Sequence, residues 1–481
     1  MGGSPAPGWS EWSPLVHRAE RDSEPGLPIK LAPCSNGEFA PPPAAPGVRR
    51  AVRLARATCD DAARRLGMSR RDFLRTSMAS AATLLAVGAC SGEGGEPSAG
   101  TFDLPPESTT EPDVATSVLG GEGQPVVDVQ QHLLELDGFD GGFGGGFPQA
   151  ACGDGGACFD TEHWLDLVFG RSDTTMAVLS VIPVLTDPDP LSAEVMDAAR
   201  RAADELCGDG RVLVQGHAQP NVGPLEGALE AMRVEAERYD IAAWKSYTHV
   251  GDPWRLDDEV GDAFLGLVEE IGPPIVCVHK GLGGDPNDVG PAAAAHPDIS
   301  FVAYHSGYEV DVREGVYAPG SSNGGVDRLL ESARAAGIGP GANVYAELGS
   351  TWRNLMGDPD QAAHLLGKLI TALGPTNVLW GTDSIWYGSP QDQIEAFRTF
   401  EITAEAQERF GYAPLTLEVK AAILAGNAAR LYGIDPSGTR CATTPADRAA
   451  RRADPPTGDV LLGPRTAAQA RRAFAADHPW F

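Results

Sequence analysis

From Pro125 onward, short runs rich in β-branched residues alternate with Ala-rich amphipathic stretches. This alternation constrains the chain more than any other feature, because repeated strand–helix units bury their apolar faces by laying helices over a parallel sheet. Eight strands are expected, at Val126–Gln130, Met176–Ile182, Val212–Gln215, Ala242–Ser246, Ile275–His279, Phe301–His305, Asn343–Glu347 and Val378–Thr382. Helices are expected near Trp164, Ala198, Leu229, Phe264, Ala293, Leu330, Leu365 and Ala396. Eight such units predict an α/β chain closed as a (β/α)8 TIM-type barrel with loop insertions over residues 125–435. The competing architecture, a doubly wound nucleotide-binding sheet, would carry GxGxxG after its first strand, and none stands there. The Gly-rich stretch Gly138–Gly156 follows the first strand and is expected to overhang the barrel mouth as a lid.

The segments before the barrel carry other signals. Arg70 and Arg71, followed by Phe73 and Leu74, match a twin-arginine export pattern. The apolar run Thr76–Ala89 has the length of a signal peptide and is too short for about 30 Å of hydrocarbon. Its ending, Val87-Gly88-Ala89-Cys90, resembles a lipobox, which makes Cys90 the expected lipidation site and 68–90 the expected signal. Met68 stands directly before this pattern, so residues 1–67, Pro-rich and without clear periodicity, are expected to be an upstream extension or a disordered region outside the fold. Residues 91–124, rich in Gly, Ser, Pro and Glu, are expected to be a flexible tether with an end-to-end distance of about 30 Å. The implied partners are the export machinery and a membrane reached only through the lipid. The implied location is the outer face of the cytoplasmic membrane, the periplasm or the exterior. The tail, 436–481, carries no motif.

The formal charge is −29, and residues 1–90 are basic on balance, so the remainder is more acidic still. An acidic surface repels nucleic acid, which excludes that partner class. The eight cysteines show no CxxC pair, which argues against a structural metal cluster, and Cys152 and Cys158 stand close enough in sequence for a disulfide in an exported protein.

Catalytic groups of such barrels sit at the C-terminal ends of strands. Here those ends read DVQQH from Asp128, CVHKG from Cys277, YHSGY from Tyr304 and LWGTDS from Leu379. Several imidazoles and a carboxylate at separate strand ends suit Zn²⁺, with Mn²⁺ or Fe²⁺ as alternatives. Lys245 lies near the end of strand four, where it is either an ion-pair partner or a group that contacts a substrate carboxylate or carbonyl. His217, His249 and Glu347 also lie at strand ends, while Trp386 and Tyr387 could wall a pocket. His163, His296, His364 and His478 are expected at the surface.

These motifs, with a closing GNAARLYGI from Gly426, resemble the amidohydrolase-related family, the branch that contains aminocarboxymuconate-semialdehyde decarboxylase, over residues 125–434. The resemblance implies that His132, His279 and Asp383 hold a divalent metal, that Asp383 takes a proton from bound water, and that His305 polarises the scissile carbonyl. The family's first His on strand one is Gln130 here, a weaker ligand type, and relatives with Glu there are typically manganese-dependent decarboxylases. Barrels of this branch often dimerise. Three functions follow: a metal-assisted hydrolase of a C–N or C–O bond in a small amide, lactone or ester; a non-oxidative decarboxylase of an aromatic or unsaturated acid; or a binding lipoprotein that has lost catalysis.

Overall fold

The computed structural model describes residues 26–92, 97–136, 159–183, 189–208, 210–320, 324–438, 447–448, 450–451 and 463–474. Within them eight parallel strands pair in chain order: β1 (Val127–Gln131), β2 (Met176–Leu179), β3 (Val212–Ala218), β4 (Ile241–Tyr247), β5 (Ile275–His279), β6 (Ser300–Tyr304), β7 (Val344–Glu347) and β8 (Val378–Leu379). The sheet closes because β8 returns to β1. Val129 donates its N–H to Trp380 O at 3.0 Å, Asp383 donates to Gln130 O at 2.9 Å, and Gln131 bridges Ser384. This is the expected (β/α)8 barrel, with strand ends displaced by a few residues.

Two apolar layers hold it. Val127, Val129, Val178, Ala243, Cys277 and Val302 fill the barrel interior, while Trp164, Trp244, Phe264, Leu330, Leu365 and Phe397 pack between strands and helices. The outer helices start on side-chain caps that satisfy otherwise orphaned N–H groups: Ser192 before Ala193–Cys207, Asp258 before Glu259–Ile271 and Asp358 before Pro359–Leu373. A register shift between Asp128 and Gln131 interrupts β1 just where Gln130 and His132 leave it, and such bulges re-aim side chains at strand ends.

The described part of the N-terminal region belongs to the fold, which corrects its expected exclusion. Leu27, Ile29, Leu31 and Phe39 are buried apolar anchors in an otherwise Pro-rich coil. The coil's polar groups find partners on the barrel and the C-terminal tail: Arg353 donates to Ala32 O at 2.8 Å, Ser35 N–H to Pro464 O at 2.8 Å, and Lys30 pairs with Asp392 at 3.3 Å. Helix Pro46–Arg65 buries Val52, Ala55, Cys59 and Ala62 at helical spacing and packs against helix Ser77–Cys90, whose own apolar residues are mostly buried. Arg70 pairs with Asp60 at 3.2 Å, and Cys90 is half-buried at the helix end. No helix among the described residues is long and apolar enough to cross a membrane.

Residues 97–124, expected as a tether, are ordered instead. Gly100–Phe102 pairs antiparallel with Phe400–Ile402, Phe102 meets Phe400 edge to face at 5.6 Å, and helix Pro112–Gly120 buries Ala115 and Leu119. The polar composition of this stretch hid these few anchors. In the tail, helix Ala467–Phe474 follows Gly463, whose N–H reaches Trp386 O at 3.3 Å. The expected lid at 138–156, Cys152, Cys158 and His478 lie outside the described residues.

Candidate active site

The C-terminal ends of the strands converge on one buried cluster. Leu282, His305, Ser306, Ser350 and Asp383, each just beyond a strand, hold φ between 47° and 63°. Left-handed backbone in non-glycine residues is costly and gathers where side chains must be aimed at a site.

His132 donates from Nδ1 to Ser180 O at 2.7 Å, since a carbonyl only accepts. Its Nε2 then faces Asp383 Oδ1 at 3.0 Å. Asp383 also accepts from Gln130 Nε2 at 3.1 Å, from Asn36 Nδ2 at 2.7 Å and from the Ser350 hydroxyl, which in turn meets Tyr387. Burial pushes the Asp383 carboxyl up, but the neighbouring His132 and His305 and the hydrogen bond from Ser350 outweigh it and hold it below the usual carboxylate range.

Beside this pair stands a histidine group. The ring centroids of His279 and His305 are 4.5 Å apart, and those of His279 and His249 are 4.7 Å apart. His305 donates from Nδ1 to Gly349 O at 2.8 Å. Burial lowers its pKa to about 4, so at neutral pH the ring is neutral and Nε2 carries a lone pair rather than a proton. Burial likewise pulls His279 well below the usual range, and neither of its ring nitrogens has a hydrogen-bond partner of good geometry.

The expected ligand set is divided. His132 meets Asp383, whereas His279 meets His305 and Glu38, the three whose ligand atoms lie within 4.8 Å of one another. Gln130 turns its amide nitrogen to Asp383 and leaves Oε1 unpartnered toward Gly349, so it stands in the cluster as a donor. Lys245 is fully buried inside the barrel, with Nζ 3.6 Å from the Tyr304 ring centroid and no hydrogen-bond acceptor. Desolvation lowers its pKa to about 8. Glu347 accepts N–H groups of His305 and Gly349, and Trp386 stacks on His132 at 6.0 Å. His217 lies apart, 3.3 Å from Asp189. His364, expected at the surface, is buried and meets the Tyr412 hydroxyl at 3.0 Å.

Sequence reasoning missed Asn36, Glu38 and Ser350. Ser350 stands three residues after Glu347 with no motif to mark it. Asn36 and Glu38 sit in a segment without periodicity, and their only signal was a polar Ser-Asn-Gly-Glu turn flanked by Cys34 and Phe39.

These side chains fit a divalent cation. Imidazole nitrogens of His132, His279 and His305 face the carboxyl oxygens of Asp383 and Glu38, which are the ligand types a divalent cation takes.

Comparison with curated protein sequences gives no match. Among solved structures, the uncharacterized TIM-barrel protein Bb4693 from Bordetella bronchiseptica is 15% identical, with 64% of this chain and 98% of that chain covered and a TM-score of 0.42. The 2,6-dihydroxybenzoate decarboxylase from Rhizobium is 15% identical, with 64% and 99% covered and a TM-score of 0.37. The Metarhizium anisopliae IDCase in apo form is 16% identical, with 65% and 98% covered and a TM-score of 0.38. Likeness at this level does not extend to activity. Residues 127–434 match the model of the family described as Amidohydrolase (Amidohydro_2), a stretch that holds all eight barrel strands and every strand-end residue of the cluster, and the chain belongs to that amidohydrolase family, whose members bind divalent metals.

Proposed function

We propose that this protein is a metal-assisted hydrolase that cleaves a C–N or C–O bond in a small amide, lactone or ester. The observation that carries the reading is the state of Asp383: three donors converge on its carboxylate beside His132, which favours the ionised form needed in a base. His132, His279 and Asp383 are the family-type ligands, and a bound divalent ion would supply Lewis acidity and bring the pKa of a water toward about 7. Asp383 takes the proton of the attacking water and returns it to the leaving group. Trp386 shields this exchange from solvent on the His132 side. Lys245, a buried ammonium without an acceptor, offers a counter-charge to a carboxylate on the substrate.

That same Lys245 supports a second reading, non-oxidative decarboxylation of an aromatic or unsaturated acid. One experiment separates the two: the zinc- or manganese-loaded full chain is incubated in ¹⁸O-water with panels of amides, lactones, esters and unsaturated acids. Incorporation of ¹⁸O into a product acid supports hydrolysis; release of carbon dioxide without it replaces hydrolysis with the lyase. Turnover of neither class by metal-loaded protein would reduce the chain to a binding protein.

A further inference from the structure

The N-terminal coil places a carboxylate among the histidines. Glu38 Oε1 lies 3.2 Å from His279 Nδ1, and Glu38 Oε2 lies 3.7 Å from His305 Nε2. The Glu38 side chain is 13% exposed and the two rings are fully buried, so water does not screen the group. Because His305 commits Nδ1 to Gly349 O, Nε2 is the nitrogen left to face Glu38. Neither imidazole makes a hydrogen bond of good geometry to Glu38. Two imidazole nitrogens and a carboxyl group whose ligand atoms lie within 4.8 Å of one another in a buried pocket are the donor set of a divalent cation.

The loop that carries Glu38 is held from several sides. Asn36 donates from Nδ2 both to Glu38 and to Asp383, and the Glu38 N–H returns to Asn36 Oδ1 at 3.0 Å. The Gly37 N–H bonds Ser35 Oγ at 2.9 Å, and Ser35 N–H is tied to Pro464 O. Asn36 thereby joins the Glu38 group to the His132–Asp383 pair. Such support orients a ligand before the ion arrives.

We infer that Glu38, His279 and His305 form a divalent-metal site, so that a residue outside the barrel supplies one ligand. The inference rests on the metal-assisted reading of the same cluster. It moves His305 from substrate to ligand and makes the segment around Glu38 part of the active centre. A chain cut before Cys90, as an export leader would be, loses this ligand.

The test uses the full chain, stripped with chelator and titrated with Co²⁺ and Zn²⁺. The readouts are affinity, by competition with a chromogenic chelator, and the visible Co²⁺ spectrum. Glu38→Gln keeps size and hydrogen-bonding capacity on a coil, and a thermal melt of the metal-free protein checks its fold. We expect Glu38→Gln and His305→Ala each to weaken binding by more than the about 10- to 100-fold that a group one step removed from an ion contributes, and to change the Co²⁺ spectrum. Asn36→Ala should weaken binding within that range. Unchanged affinity and spectrum in Glu38→Gln, with binding lost in His132→Ala and Asp383→Ala, would overturn the inference while leaving the metal-hydrolase reading intact. In that case Glu38 only caps the site. No binding of either ion to the wild-type chain would overturn both.

Discussion

His132 Nε2 stands 3.0 Å from Asp383 Oδ1 while the other nitrogen of the same ring is committed to the carbonyl of Ser180. The ring therefore cannot rotate away without losing a buried hydrogen bond, and the carboxylate beside it stays charged. Asp383→Asn preserves the shape and removes the base. On a substrate found in the ¹⁸O screen, kcat should fall by about 10²- to 10⁴-fold with little change in the melting temperature. An Asn variant with more than a tenth of wild-type kcat would remove Asp383 from proton transfer.

Much of this arrangement is readable without coordinates. The barrel follows from eight alternations of residue type, and His132, His279, His305 and Asp383 follow from strand-end positions. Their grouping does not. Whether His279 meets Asp383 or Glu38 depends on the barrel's closure and on the bulge between Asp128 and Gln131, which no local pattern encodes. Glu38 was hidden for a different reason: a coil anchored by Leu27, Ile29 and Phe39 has no period, and its hydrogen-bond partners lie hundreds of residues away.

Lys245 gives a prediction about substrate charge. A buried charge-assisted contact is worth about 1.5–3 kcal/mol, so Lys245→Met should raise KM for a carboxylate-bearing substrate by about 10- to 100-fold and leave a neutral analogue unaffected. The wild-type ammonium is lost as pH climbs past about 8, so KM for the anionic substrate should rise above that pH, and the Met variant should lack the rise. Equal losses on charged and neutral substrates would mean that Lys245 only supports the barrel interior.

Far from the site, Lys368 is buried between Glu314 and Asp327, at 2.6 Å from the latter. Lys368→Met strands two carboxylates in an apolar layer and should cost about 3–5 kcal/mol in unfolding free energy. Adding Glu314→Gln and Asp327→Asn should recover most of that loss, as read by denaturant titration. A triple variant no more stable than the single one would show that packing, rather than charge, is what Lys368 supplies.

Glu347 sets the sign of a pH effect on stability. Burial raises its carboxyl from the ordinary 4.5 to about 8, against the opposing backbone N–H groups of His305 and Gly349. Between those two pH values the folded chain holds a proton that the unfolded chain has released. Its contribution is therefore complete below about 4.5 and is lost as pH rises through about 8. Glu347→Gln cannot ionise and still offers an acceptor oxygen. Melting temperatures of chelator-treated wild type and variant should agree near pH 4 and separate by pH 9 in favour of the Glu347→Gln variant, with a difference of at most a few kcal/mol in stability. Other buried acids with raised values, Glu38 and Asp128 among them, act in the same direction in both proteins and cancel in the comparison. Parallel melting curves from pH 4 to pH 9 would show that Glu347 is ionised throughout and that its two backbone donors outweigh its burial.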